Sequence, residues 1–278
     1  CERLLADHDL ALVTRADLKP SAFGKEIYEV SQNNLPAGEM SDAAKDSLTS
    51  LLPAGGNVLI TNEDLICQLG IEDFYQHAEQ AIQYLCTALV DFDVHVIFYI
   101  RRQTDYLESI YMQLVHLGRR LKFHQFLKRA ETVDLSWLEP VLAMERTLPP
   151  GRLHLRAFEQ IRQIGEDEFF RDFLRICQLD DADDYCVDKD FAKGRPANRS
   201  YGQLAMQMAH RVNPLLNPKE KKLMRRFLQE HFSTATHPRA VLLGEEQRDA
   251  MFERYKASNQ QVFERWDLGA SGEKLGYF

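Results

Sequence analysis

An apolar run that ends on two adjacent arginines and passes at once into a helical repeat, VHVIFYIRRQTDYLESIYMQLVHLG over residues 94–118, constrains this chain more than any other segment. Val94–Ile100 is too short for an independent helix and follows the turn residues Asp91-Phe-Asp, as a buried strand does. Beyond it Leu107, Ile110, Tyr111, Leu114 and Val115 recur at i, i+3, i+4, i+7 and i+8, which predicts a helix capped by Thr104 or Asp105 and ended by Gly118. Two further segments have strand character: Asn57–Thr61 after Pro53-Ala-Gly-Gly, and Arg152–Phe158 after Pro149-Pro-Gly. Strands alternating with helices of this length predict an α/β fold with a parallel sheet and right-handed crossovers.

From Tyr201 onward the repeat is helical only, over Tyr201–Arg211, Pro218–His231 and Glu245–Trp266. The expected organisation is one domain over 1–278: an α/β core to residue 180, a long polar loop over 181–200 and a helical cap over 201–278. Trp137, Tyr201, Met206, Met208 and Trp266 have the spacing of ordinary helical core.

Composition excludes several classes. A net charge of −8 opposes general nucleic-acid binding, which requires a basic surface. No apolar run approaches a membrane span. The five cysteines are scattered and lack metal-ligand spacing, so no metal site is expected, and a reduced, cytoplasmic setting is the default. Oligomeric state is not legible.

Ser109 stands eight residues after Arg101, off the apolar stripe of its helix. The two therefore converge on a crevice at the carboxyl end of the sheet, where open α/β folds bind ligands. A guanidinium, a hydroxyl and a helix N-terminus together suit a phosphate.

At this point the sequence resembles the sulfotransferase superfamily, and IRRQTDYLESIYMQLV, with its R-x(3)-D-x(3)-S-x-Y pattern, resembles the bacterial members most. The resemblance extends to NVLITNEDL, GRLHLRAFEQI and the step Asn198-Arg199-Ser200, in order over most of residues 55–215. It implies a three-layer P-loop-type parallel sheet with a helical C-terminal cap. The implied co-substrate is 3′-phosphoadenosine-5′-phosphosulfate, with Arg101 and Ser109 on the 3′-phosphate. Lys193, Arg195, Asn198, Arg199 and Ser200 lie in a basic, glycine-containing stretch that resembles, in chemistry but not in exact wording, the loop that finishes such a site; it equally balances the acidic run Asp180–Asp184. The implied acceptor is a small molecule or glycan.

The chain departs from that family at its beginning, where no P-K-[ST]-G-T-[ST] loop for the 5′-phosphosulfate occurs. CERLLADHDLALVTR resembles the stretch just beyond the P-loop helix, which implies roughly 20–40 residues upstream, the length of one βα unit. Glu63, just past Asn57–Thr61, has the family position of a catalytic base. It equally suits the first turn of a helix capped by Thr61 or Asn62. His95 and His154 read as core residues, His116 and His124 as neighbours of a basic surface. Two other readings stand beside the enzyme: a non-catalytic nucleotide-binding or scaffold protein on the same fold, and a P-loop kinase relative, for which GxxxxGK[ST] is missing.

Overall fold

The computed structural model describes residues 8, 10–53, 55–67, 69–179, 181–186 and 200–278. In chain order its elements are β1 (Leu10–Thr14), α1 (Arg15–Leu18), α2 (Ala22–Ser31), α3 (Asp42–Leu51), β2 (Asn57–Thr61), α4 (Ala78–Ala88) and β3 (Val96–Ile100). There follow α5 (Gln103–His116), α6 (Phe123–Glu131), α7 (Leu138–Thr147), β4 (Leu153–Ala157) and α8 (Ile161–Ile176). The remaining helices among the described residues are α9 (Gln203–Val212), α10 (Pro218–His231), α11 (Glu245–Arg265) and α12 (Gly272–Leu275). The chain is a mixed α/β protein whose strands join as two parallel pairs, β1 with β2 and β3 with β4.

Two compact units emerge. The first gathers the described residues of Cys1–Tyr99, Ser136–Arg156 and Ile176–Asp180. In it β1 and β2 run in register from Leu10 opposite Asn57 to Thr14 opposite Thr61. Thr14 Oγ1 then accepts from the Ala16 N–H, and the Thr14 N–H donates to the Asp17 carboxylate in return, a capping box that turns the chain sharply into α1. Arg15 pairs with Asp64, tying together the segments that leave the two strands. Apolar residues three and four apart bury one face of α2 (Phe23, Ile27, Val30), of α3 (Ala44, Leu48) and of α4 (Ala78, Ile82, Leu85). Trp137 is 1% exposed and lies 4.8 Å from the Phe74 ring and 5.8 Å from that of Phe98, a core role.

The helix expected directly after β2 does not form. Asn62 Oδ1 instead accepts from the Asp64 N–H at 3.0 Å, an Asx turn that competes with helical hydrogen bonding, and the next helix starts only at Ala78. The strands at 94–100 and 152–158 are shorter than expected, and His95 stands before β3 and not inside it. Arg152 donates to His95 Nε2 at 2.7 Å, which leaves the ring proton on Nδ1 to donate to His154 Nε2 at 2.9 Å. The two imidazoles stack, and burial, followed by the charges of His95, Arg156 and Arg152, holds His154 below its usual pKa.

The second unit gathers Ile100–Leu135, Ala157–Arg175 and the described residues of Asp181–Phe278. Leu107, Tyr111, Met112 and Val115 of α5 are buried, as are Phe126 of α6, Ala205, Met206 and Ala209 of α9, and Tyr255 and Val262 of α11. Tyr201 is core, whereas Met208 and Trp266 are half-buried. Caps set the helix starts: Asn217 accepts from the N–H groups of Lys219 and Glu220, while Pro218 occupies a position whose N–H would have no helical partner. Gly118, at φ +80°, ends α5 as its sequence position predicts. No helix among the described residues is long and apolar enough to cross a membrane.

Candidate functional site

The segment leaving β3 carries Arg101 and Arg102 directly into α5. Arg102, and neither Thr104 nor Asp105, is the N-cap residue, so the helix begins earlier than its pattern predicts. The reason lies in a distant residue: the Arg102 backbone N–H donates to Glu159 Oε1 at 3.2 Å, fixing the chain at the point where the helix starts. Glu159 belongs to a 3₁₀ turn, Phe158–Gln160, that follows β4, and only 3% of it is exposed.

Asp105, in the first turn of α5, faces back toward the arginines. Its Oδ2 accepts from Arg102 Nε at 2.9 Å and lies 3.9 Å from the Arg162 guanidinium. Burial works to raise its pKa, but the charges and hydrogen bonds of Arg102, followed by Arg162 and Arg101, outweigh this and hold it below the usual carboxylate value. The positive end of the α5 dipole acts in the same direction.

The Arg101 guanidinium lies 5.0 Å above the Phe158 ring, and its Nε is 3.9 Å from Glu159 Oε1, beyond hydrogen-bond reach. Burial lowers its pKa, opposed by Asp105 and Glu159 and reinforced by the nearby charges of Arg239 and Arg162. The guanidinium groups of Arg101, Arg102 and Arg162 lie about Asp105 and Glu159, and the charge of Arg239, which neighbours Glu108, also reaches Arg101, in a chain whose overall charge is negative. This local surplus of positive charge is what an anion requires.

Ser109 lies one turn beyond Asp105 on the same side of α5. It is half-buried, and its hydroxyl makes no hydrogen bond among the described residues. Its neighbour Glu108, 2% exposed, accepts at a single oxygen from the Leu242 and Leu243 N–H groups and from Arg248 at 2.6 Å; Arg239 lies 3.8 Å from the other oxygen. The 239–248 segment is thereby held against α5, bringing Arg239 close to Arg101.

Comparison with protein-family models, curated proteins and solved structures finds no match. The assignment of a role consequently rests on the residues themselves.

Glu63 sits in the other unit, in the turn after β2, exposed and without a side-chain hydrogen bond among the described residues. Lys193, Arg195, Asn198 and Arg199 lie outside the described residues. Ser200 is exposed, and its carbonyl accepts from the Thr234 N–H at 2.9 Å. His124 is exposed, whereas His116 is partly buried with its ring centroid 3.8 Å from that of Tyr201. Sequence reasoning singled out Arg101 and Ser109 but not Glu159, Arg162, Arg239 or Tyr277. Glu159 follows the strand of GRLHLRAFEQI, where the end of a core strand is itself a usable signal. Tyr277 carries no such signal.

Proposed function

We propose that this chain holds an adenine nucleotide by its 3′-phosphate, with Arg101 and Ser109 as ligands, on the three-layer P-loop-type sheet of a sulfotransferase. The observation that carries the reading is the cluster of guanidinium groups where β3 passes into α5, beside a hydroxyl with no hydrogen-bond partner among the described residues. A phosphate there accepts charge-assisted hydrogen bonds worth about 1.5–3 kcal/mol each. The loop with Lys193, Arg195, Asn198, Arg199 and Ser200 supplies further donors.

With 3′-phosphoadenosine-5′-phosphosulfate as co-substrate, an acceptor hydroxyl or amine of a carbohydrate, lipid or small metabolite attacks sulfur in line. The new bond to sulfur forms as its bond to the 5′-phosphate oxygen breaks, the acceptor proton passes to a base, and adenosine 3′,5′-bisphosphate leaves. Glu63 is the base in this reading. Holding the 5′-phosphosulfate requires a backbone-rich loop that residues 1–278 do not contain, so transfer needs that element in addition.

Arg102 favours a second reading. Its guanidinium is already engaged by Asp105, as in a structural ion-pair cluster, which suits a scaffold that binds the nucleotide without turnover. Calorimetric titration with adenosine 3′,5′-bisphosphate and with adenosine 5′-monophosphate, on the parent and on Arg101→Ala, tests the shared core of both readings. Binding that requires both the 3′-phosphate and Arg101 supports it. A folded parent that binds neither nucleotide, or binds both equally, overturns it.

A further inference from the structure

The second unit carries a concentration of positive charge apart from the cluster at the start of α5. Residues 117–124 and 214–228 hold eight arginines and lysines and one acidic residue, Glu220, a charge of +7 in a chain whose sum is −8. The fold sets these two stretches side by side. Arg120 donates to the Pro214 carbonyl at 2.7 Å, and Lys221 Nζ donates to the Gly118 carbonyl at 3.3 Å. Arg119 and Lys122, in the same turn, are exposed.

On α10, Leu228 is fully buried and marks the inward side of the helix. Lys219, Lys222, Leu223 and Arg226, spaced i, i+3, i+4 and i+7, are all exposed and form its outward face. None of the three cations has an ion-pair partner among the described residues. Large apolar side chains stand among them: Leu117, Leu215 and Leu223 are 53%, 81% and 70% exposed, and Phe227, one turn beyond Leu223, is 45% exposed.

Side chains more than half exposed project from the surface, unlike the walls of a groove that takes up a peptide helix. A nucleic acid or a sulfated glycan matches the cations alone and leaves the leucines in water. The headgroups and acyl boundary of an anionic bilayer match both, since basic side chains near such a surface are attracted to it while apolar ones enter the interface.

We propose that the outward face of α10, with the turn at 117–122 beside it, is a binding surface for membranes that contain anionic lipid. The cations meet the headgroup phosphates, and Leu117, Leu215 and Leu223 enter the acyl boundary. Such attachment is reversible and requires no spanning helix. None of these residues belongs to the site around Arg101, so the surface stands apart from the nucleotide reading.

Co-sedimentation of the whole chain with vesicles of equal parts phosphatidylglycerol and phosphatidylcholine, and with vesicles of phosphatidylcholine alone, tests the assignment. Binding to the first and not to the second is expected, weakening as salt is raised. The variant Lys219→Gln/Lys222→Gln/Arg226→Gln should bind about a hundredfold more weakly, at about fivefold for each basic residue near the surface. The variant Leu215→Ser/Leu223→Ser should lose about tenfold or more. Every altered position is exposed, so thermal midpoints should match the parent. Lys19→Gln/Lys25→Gln/Lys45→Gln, the same change of charge at exposed positions of the first unit, should leave binding unchanged. A folded parent that ignores anionic vesicles overturns the assignment and leaves an acidic protein as the occupant. Undiminished binding by the leucine variant also overturns it, reducing the surface to a charge-only site for a soluble polyanion, and an equal loss in the first-unit control overturns it by making the attraction non-local.

Discussion

Gln103 and Asn259, far apart in the chain, form a reciprocal amide pair in which Gln103 Nε2 donates to Asn259 Oδ1 at 3.0 Å and Asn259 Nδ2 donates to Gln103 Oε1 at 3.1 Å. Asn259 also donates to the Tyr277 carbonyl, and the two side chains are 5% and 2% exposed. The first residue of α5 is thus joined to the middle of α11 and to the segment that carries Tyr277. Replacing Asn259 by Leu strands the Gln103 amide and the Tyr277 carbonyl in a dry environment, at a cost of about 1–3 kcal/mol for each unsatisfied group. Urea denaturation should show Asn259→Leu clearly less stable than the double variant Gln103→Leu/Asn259→Leu, in which the amide pair is removed from both sides.

Ser109 offers a separation of binding from folding. Its hydroxyl makes no hydrogen bond among the described residues, so Ser109→Ala should leave the thermal midpoint within about 1 °C, in keeping with surface-like substitutions of about ±0.5 kcal/mol or less. Affinity for adenosine 3′,5′-bisphosphate should fall by roughly ten- to a hundredfold, one hydrogen bond to a charged group. Calorimetry and a thermal scan on the same preparation check both halves.

Glu108 should be among the costliest single positions. Removing a buried carboxylate that holds Arg248 and two backbone N–H groups leaves a charge and two donors uncompensated, typically about 3–5 kcal/mol. Glu108→Gln keeps acceptor geometry without the charge and should fall between the parent and Glu108→Ala. Denaturant midpoints at neutral pH rank the three.

His116 makes stability depend on pH. Burial, and secondarily the charge of Arg225, lower its pKa from 6.5 to about 4, and its Nε2 is buried with no hydrogen-bond partner among the described residues. The unfolded imidazole takes up its proton near pH 6.5, while the folded one resists until about pH 4. Within that window the unfolded state binds more protons, so stability declines as pH falls, by up to about 1.4 kcal/mol per pH unit from this group. His116→Phe preserves a ring against Tyr201 and should flatten the stability profile between pH 6.5 and 4, as measured by denaturation at a series of pH values. An equal slope in the variant would assign the acid sensitivity elsewhere, to groups such as His154 and His210, both also depressed, and, near the lower end of the window, to depressed carboxylates such as Glu26.

Local sequence determined much of the secondary structure. The strand Asn57–Thr61 and the helix Pro218–His231 have the boundaries their patterns predict, because a β-branched apolar run and an Asn-Pro-x-Glu cap act within a few residues. The Arg101–Ser109 spacing was legible for the same reason: a strand end and the second turn of the next helix are fixed by local geometry. Tertiary structure decided the rest. Helix α5 starts at Gln103 because Glu159 holds the Arg102 N–H, and the region after β2 stays irregular where Asn62 and Arg15 claim Asp64. Glu159 is joined to Arg102, Tyr277 to Glu159, and Asn259 to Gln103 and the Tyr277 carbonyl by long-range hydrogen bonds. Such pairings depend on which polar atoms the folded chain strands together away from water, a property of packing that periodicity along the sequence does not encode.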